Sequence, residues 1–180
     1  MEEFIISELL EGRPEFTKTI KEKECFDTLD AMDIVYQRVE YNYFPKDRDA
    51  LELIDKVLGV PGIKNLMFTT KNKSQFFFII IPRDERFDEK AFRSKFELPK
   101  ITMAKNEDLD NVLKTRAGAV SIMDLIYDEE NLIKLFIDKK VLDEEFFRFH
   151  PNENTSTVRV KTVDLLEKII PYLNHEVNII

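Results

Sequence analysis

The sequence predicts an α+β protein, a mixed and mostly antiparallel β-sheet flanked by helices. Three observations carry this. Phe76 to Ile81 is continuously apolar, as in a strand covered on both faces. It follows a second β-rich run, Leu66 to Thr70, across the polar turn Lys71-Asn72-Lys73-Ser74, so the pair reads as a hairpin. Around them strands and helices are interspersed without a βαβ rhythm.

In chain order, Met1 to Gly12 reads as a short amphipathic helix with Phe4, Ile5 and Leu9 inward, closed by Gly12 and Pro14. Thr28 to Met32 opens a second helix. Ile34 to Tyr43 alternates in the β manner. Asp47 to Leu58 places Leu51, Ile54 and Leu58 at helical spacing, with Gly59 as the stop. After the hairpin, which Pro82 ends, come a helix over Asp88 to Phe96 and a short strand over Lys100 to Ala104. Asn106 caps a helix running from Glu107 to Leu113. Strands follow at Leu132 to Ile137, Phe146 to Phe149 and Thr155 to Val160. The chain closes with a helix over Asp164 to Leu173 and a strand over Glu176 to Ile180.

The length of 180 residues favours one domain with a sizeable core. Hydrophobic residues at 43% exclude a disordered chain, and only 4 Gly and 7 Pro argue against a linker-rich or repeat protein. A net charge of −8 disfavours a general nucleic-acid binder, since non-specific affinity comes from neutralising phosphates. It leaves room for a protein that grips one end of a nucleic acid through a local pocket. Cys25 is the single cysteine, read as a small apolar residue; no disulfide and no thiolate metal site follow from it. The acidic N-terminus has too short an apolar run for a signal peptide or membrane anchor, which makes the cytoplasm the default.

No phosphate-binding glycine loop, HExxH or CxxC is present. Lys64-Asn65-Leu66 follows the turn Val60-Pro61-Gly62 at a strand entrance, and His150-Pro151-Asn152 precedes another strand. Side chains at strand ends can converge on a pocket. Lys64 is unusual there, since an ammonium seldom enters a core without a partner; the plainer reading is a surface Lys whose stem packs on apolar neighbours. The small-residue loop Arg116-Ala117-Gly118-Ala119-Val120-Ser121 reads either as a backbone N–H cradle for an oxyanion or as a plain connection. Asn152 to Thr157 is a turn with Asx hydrogen bonding or the wall of a polar pocket. His175 reads as surface or structural. Arg83-Asp84-Glu85-Arg86 reads as a solvated turn with weak local pairs.

Taken together, Lys64-Asn65-Leu66 before an apolar strand, the polar hairpin, the Gly118-Ala119-Val120-Ser121 loop, His150-Pro151-Asn152-Glu153-Asn154-Thr155 and the terminal His175-Glu176-Val177 resemble the YbaK/prolyl-tRNA synthetase-associated domain family. The likeness is to its freestanding trans-editing branch and covers residues 27–180, leaving 1–26 as an N-terminal helical extension. The resemblance implies a YbaK-like fold and hydrolysis of mischarged tRNA(Pro), Ala-tRNA(Pro) first, at its acceptor end. It implies no cofactor, no metal, no DNA and no membrane, and allows prolyl-tRNA synthetase as a further partner.

Lys64, Asn65 and His150 are the implied catalytic residues. Gly118, Ala119, Val120, Ser121, Asn152 and Thr155 are the implied substrate-binding set. The family's loop runs in a pattern like Gly-Ser-Val-Ser-Pro-Phe-Gly. Here Ile122 and Asp124 stand at the Pro and the second Gly, and Tyr41 stands where the family often has His. The rival readings are a Cys-tRNA(Pro) deacylase and a non-catalytic module that binds tRNA ends or a synthetase.

Overall fold

The computed structural model describes residues 3–180. Its elements are β1 (Leu10–Glu11), α1 (Ile20–Ala31), β2 (Tyr36–Glu40), α2 (Arg48–Leu58), β3 (Ile63–Thr70), β4 (Phe76–Pro82), α3 (Glu89–Lys95), β5 (Ile101–Met103) and α4 (Asn106–Leu113). A 3-10 helix spans Ile122–Tyr127. Then follow β6 (Ile133–Ile137), α5 (Lys139–Leu142), β7 (Phe146–Phe149), β8 (Ser156–Lys161), a helical stretch over 162–172 with a π-helical centre at Leu165–Ile169, and β9 (Val177–Ile179). Among the described residues no helix is long and apolar enough to cross a membrane.

The class is α+β as expected, but the strands form two sheets instead of one. The first is antiparallel throughout, in the order β1-β2-β8-β7. The second, β5-β3-β4-β6-β9, is mixed: β3 runs antiparallel to β4 and β5, while β6 runs parallel to β4 and β9. β4 shows why its run is unbroken. Phe76, Phe78 and Ile80 enter the main core with Phe147, Phe149, Val158 and Val160 of the first sheet and Phe26 and Leu29 of α1. Phe77, Ile79 and Ile81 pack on the opposite face with Phe92 of α3 and Phe136 of β6. Full burial of each such side chain stabilises by about 1.5–3 kcal/mol.

The helix expected over 1–12 is corrected. Met1 and Glu2 lie outside the described residues. From residue 3 the segment is extended, with an isolated bridge from Ile6 to Tyr41 and β1 paired to β2. Phe4 and Ile6, two apart as strand periodicity requires, pack on Val39, Tyr41 and Ile54. An unpartnered short helix is marginal in water, whereas the edge of β2 offers a ready ladder.

α1 also begins earlier than expected. The Thr19 hydroxyl accepts from the Glu22 N–H at 3.1 Å and starts the helix at Ile20. A division at residue 27 therefore falls inside a helix. Lys105, not Asn106, is the N-cap residue of α4, and its N–H is held by the Asp108 carboxylate at 2.9 Å.

Arg83 does not sit in a solvated pair. It reaches Asp55 of α2 at 3.0 Å, and Asp55 also takes Arg148 of β7 and the Gly62 N–H at 3.1 Å. This network ties both sheets to the turn that leads into β3. A Cβ at Gly62 would run into the Arg83 guanidinium.

Candidate active site

Asn65 and Lys64 sit side by side on β3, but a strand sends successive side chains to opposite faces. Asn65 is paired with Ile80, a main-core residue, and Lys64 with Ile81, which belongs to the other face. The Asn65 amide donates to the Val120 carbonyl at 2.7 Å, fastening β3 to the small-residue loop. The Lys64 ammonium donates instead to the carbonyl of Glu85, beyond the end of β4.

Gly118 is the exposed tip of that loop, at φ +83, a conformation that side chains with a Cβ rarely adopt. The loop ends at Ser121, which is fully buried. Its hydroxyl donates to the His150 carbonyl at 2.6 Å, and its N–H donates to the Asp124 carboxylate at 2.8 Å. The Ala119 N–H is turned inward onto Arg116. Among the described residues, the N–H groups of Gly118 and Val120 have no hydrogen-bond acceptor.

His150 and Asn152 lie in the connection between β7 and β8. The His150 ring approaches the Ser156 carbonyl through Nδ1 at 3.0 Å. A carbonyl only accepts, so Nδ1 carries the hydrogen and Nε2 keeps a lone pair in the neutral ring. Burial pushes the His150 pKa below the usual imidazole value, with the Ser156 bond opposing and Arg148 assisting, so the neutral ring is the favoured form. Phe44 packs against it in a T-shaped arrangement, 5.6 Å between centroids. The Asn152 amide donates to Asp124 at 2.7 Å.

Asn65, Val120, Ser121, His150 and Asn152 are thus joined by one set of bonds. Ala119 and Asn152 also line a cleft of about 370 Å³, together with Lys21, Lys114, Thr115 and Arg116. Two expected residues stand apart. Thr155 is taken up by Lys18 at 2.7 Å and by Glu153. Among the described residues Lys64 makes no hydrogen bond to His150 or the loop; strand alternation carries it to the other face, toward the Glu85 carbonyl.

Sequence reasoning passed over Asp124 as a ligand of the loop and passed over Lys21 entirely. Asp124 has no exposure, and its carboxylate accepts from the Lys21 ammonium at 2.7 Å. Its burial pushes its pKa up, against the pull of Lys21 and the Ser121 N–H. The signal for Lys21 was available: Thr19, followed three residues on by Glu22, is a helix-start pattern that places Lys21 in a first turn.

The sequence model of the aminoacyl-tRNA editing domain matches residues 49–168. The chain belongs to this family. Its enzyme class is therefore that of the editing domain, hydrolysis of an aminoacyl-tRNA ester. A similar protein is the prolyl-tRNA editing protein ProX of Acetoanaerobium sticklandii, 27% identical over 146 residues that cover 79% of this chain and 85% of that protein.

Among solved structures, the editing domain resembles in fold a candidate trans-editing enzyme for prolyl-tRNA synthetase, with a TM-score of 0.62 at 11% identity over 90% of this chain and 97% of the other. It also resembles a hypothetical protein, with a TM-score of 0.58 at 15% identity over 81% and 92%.

Proposed function

We propose that the protein acts in trans on mischarged tRNA(Pro), hydrolysing the ester of a small aminoacyl group, alanyl in the first place. The similarity to ProX supports the choice of tRNA. The reading is supported by the Ser121 bond to the His150 backbone carbonyl, which joins the bend to the β7–β8 connection, and by the Nδ1 contact with Ser156, which leaves Nε2 able to accept a proton.

An aminoacyl ester is already activated, so the site needs a placed water, a proton acceptor and donors for the oxyanion. His150 Nε2 takes a proton from the attacking water as its oxygen adds to the carbonyl carbon. The N–H groups of Gly118 and Val120 stabilise the charge on the carbonyl oxygen. The C–O bond to the ribose then breaks, and the proton passes to the departing ribose oxygen. Asn65, with its amide fixed on Val120, orients the ester. Lys64, on the other face, contributes charge toward the terminal phosphate and no proton transfer.

A tight pocket rejects the cognate prolyl group by size, since added methylenes are worth only about 1–3 kcal/mol each in binding. The partner is the acceptor end of tRNA, met in the cytoplasm, with prolyl-tRNA synthetase as a further partner. The test is a deacylation panel of Ala-tRNA(Pro), Cys-tRNA(Pro) and Pro-tRNA(Pro). Release of alanine alone supports the reading. Release of cysteine alone moves the activity to the cysteinyl ester, and release of neither leaves a binding module.

A further inference from the structure

The buried carboxylate of Asp124 stands where the loop pattern above has its second glycine, and it is fully coordinated. Ser121 N–H occupies Oδ2 at 2.8 Å; the Lys21 ammonium and the Asn152 amide share Oδ1, each at 2.7 Å. A buried carboxylate is tolerated only when paired and hydrogen-bonded in this way.

Lys21 does more than neutralise it. The same ammonium donates to the Lys114 carbonyl at 2.9 Å and lies 5.0 Å above the Tyr127 ring. Lys114 ends α4 in a left-handed conformation, at φ 52. One side chain of α1 therefore fastens both ends of the 114–124 segment, its start through Lys114 and its end through Asp124. Through Asp124 it also reaches Asn152, beside His150. α1 lies N-terminal to residues 49–168, the part that matches the editing family.

We propose that Lys21 and Asp124 are positioning residues that hold the Gly118–Ser121 bend and the His150–Asn152 connection in a fixed mutual arrangement, so that the segment before the family match is an integral part of the site. The kinetic consequence rests on the deacylase reading; the structural consequence does not. Asp124 and Lys21 touch no reacting atom. They act through Ser121 and Asn152.

The test uses the full chain with Lys21→Met, Lys21→Arg and Asp124→Asn. Lys21→Met keeps the apolar stem and removes the charge and donors. Amide hydrogen exchange is read for 115–121 and 150–155, with β4 as the internal reference. The expected result for Lys21→Met is exchange about tenfold faster in both segments, with β4 protection unchanged. On Ala-tRNA(Pro), kcat should fall by up to about 100-fold with KM little altered.

Lys21→Arg should recover part of both effects, because a guanidinium can still bridge the two oxygens. If Lys21→Met leaves exchange in both segments at the wild-type rate, the proposal is overturned. If the wild type deacylates nothing while the exchange responds as expected, the positioning stands and the deacylase reading alone fails. Should Asp124→Asn unfold, the Lys21 variants still decide the matter.

Discussion

Ser121 and His150 are joined by a single bond, from the serine hydroxyl to the histidine carbonyl at 2.6 Å, and that bond seats the small-residue bend against the β7–β8 connection. It ties the end of the bend to the backbone of His150, whose ring is fixed in turn by the Ser156 carbonyl.

On the proposed reading, His150 should set the pH dependence of activity. Its pKa is depressed by burial, so the ring stays neutral into mildly acidic solution. Activity should be flat near neutral pH and fall about tenfold per unit only below the ordinary imidazole range near pH 6.5. Stability has the same sign. Above the unfolded pKa both states are neutral; below it the unfolded chain binds the proton first, and stability falls until the folded pKa is reached. His150→Gln should lower kcat by about 100-fold or more and abolish the acidic limb of a kcat/KM profile. An unchanged limb would assign that titration elsewhere.

Lys64 and Asn65 should behave differently despite their adjacency. Asn65→Ala removes the tie to Val120, loosens the bend and should lower kcat. Lys64→Ala, acting from the other face, should raise KM with kcat nearly unchanged, the pattern of lost uniform binding. Steady-state kinetics of the two variants on Ala-tRNA(Pro) separate these outcomes. A large kcat loss in Lys64→Ala would place the ammonium in the proton transfer.

Arg148 should matter for stability. It is 8% exposed and donates to Asp55 and to the Val60 carbonyl. Breaking a buried pair from one side leaves a charge uncompensated, at about 3–5 kcal/mol. Arg148→Ala should show that loss in urea unfolding. A loss below about 1 kcal/mol would mean that Arg83 compensates.

Asp128 and His175 should govern acid lability. Burial opposes ionisation of Asp128, but hydrogen bonds from His175 at 3.0 Å and from the N–H groups of Leu132 and Ile133 outweigh it and hold the carboxyl below its usual range. A depressed carboxylate contributes stability that is present above its unfolded pKa, about 3.9, and lost as pH falls through the folded value. Asp128→Asn should be less stable at pH 7 and show a shallower loss between about pH 4 and pH 2. A melting series across pH measures this.

Salt should have a modest effect on tRNA binding. With a net charge of −8, and with Lys114 and Arg116 the cleft cations not committed to Asp124, few phosphates should be neutralised. A slope of log K against log salt no steeper than about −3 is expected. A slope near −8 would require an extended phosphate track.

Much of the fold was legible because it rests on local chemistry. Asp47 and Gly59 bracket α2 as N-cap and left-handed stop, and the six apolar residues of β4 announced a strand covered on both sides. The N-terminal segment was misread because Phe4, Ile5 and Leu9 also fit a helical face. What decides the matter is the edge of β2 and the residue after it, 26 to 35 positions further along the chain.

The site was legible in its residue types and less so in its geometry. Asn65, Ser121 and His150 meet through bonds to backbone carbonyls, which leave no trace in side-chain identity. Strand alternation alone would have separated Lys64 from Asn65. His175 takes the structural of its two expected roles: it is 9% exposed and pairs with Asp128, a residue 47 positions upstream.

The most direct measurement is single-turnover release of alanine from Ala-tRNA(Pro), by the wild type and by His150→Gln, with Pro-tRNA(Pro) as the comparison. Rapid release by the wild type, loss of about two orders of magnitude in the variant and an intact prolyl ester are expected. Equal release by both proteins, or release of proline as readily as alanine, would contradict the proposed function.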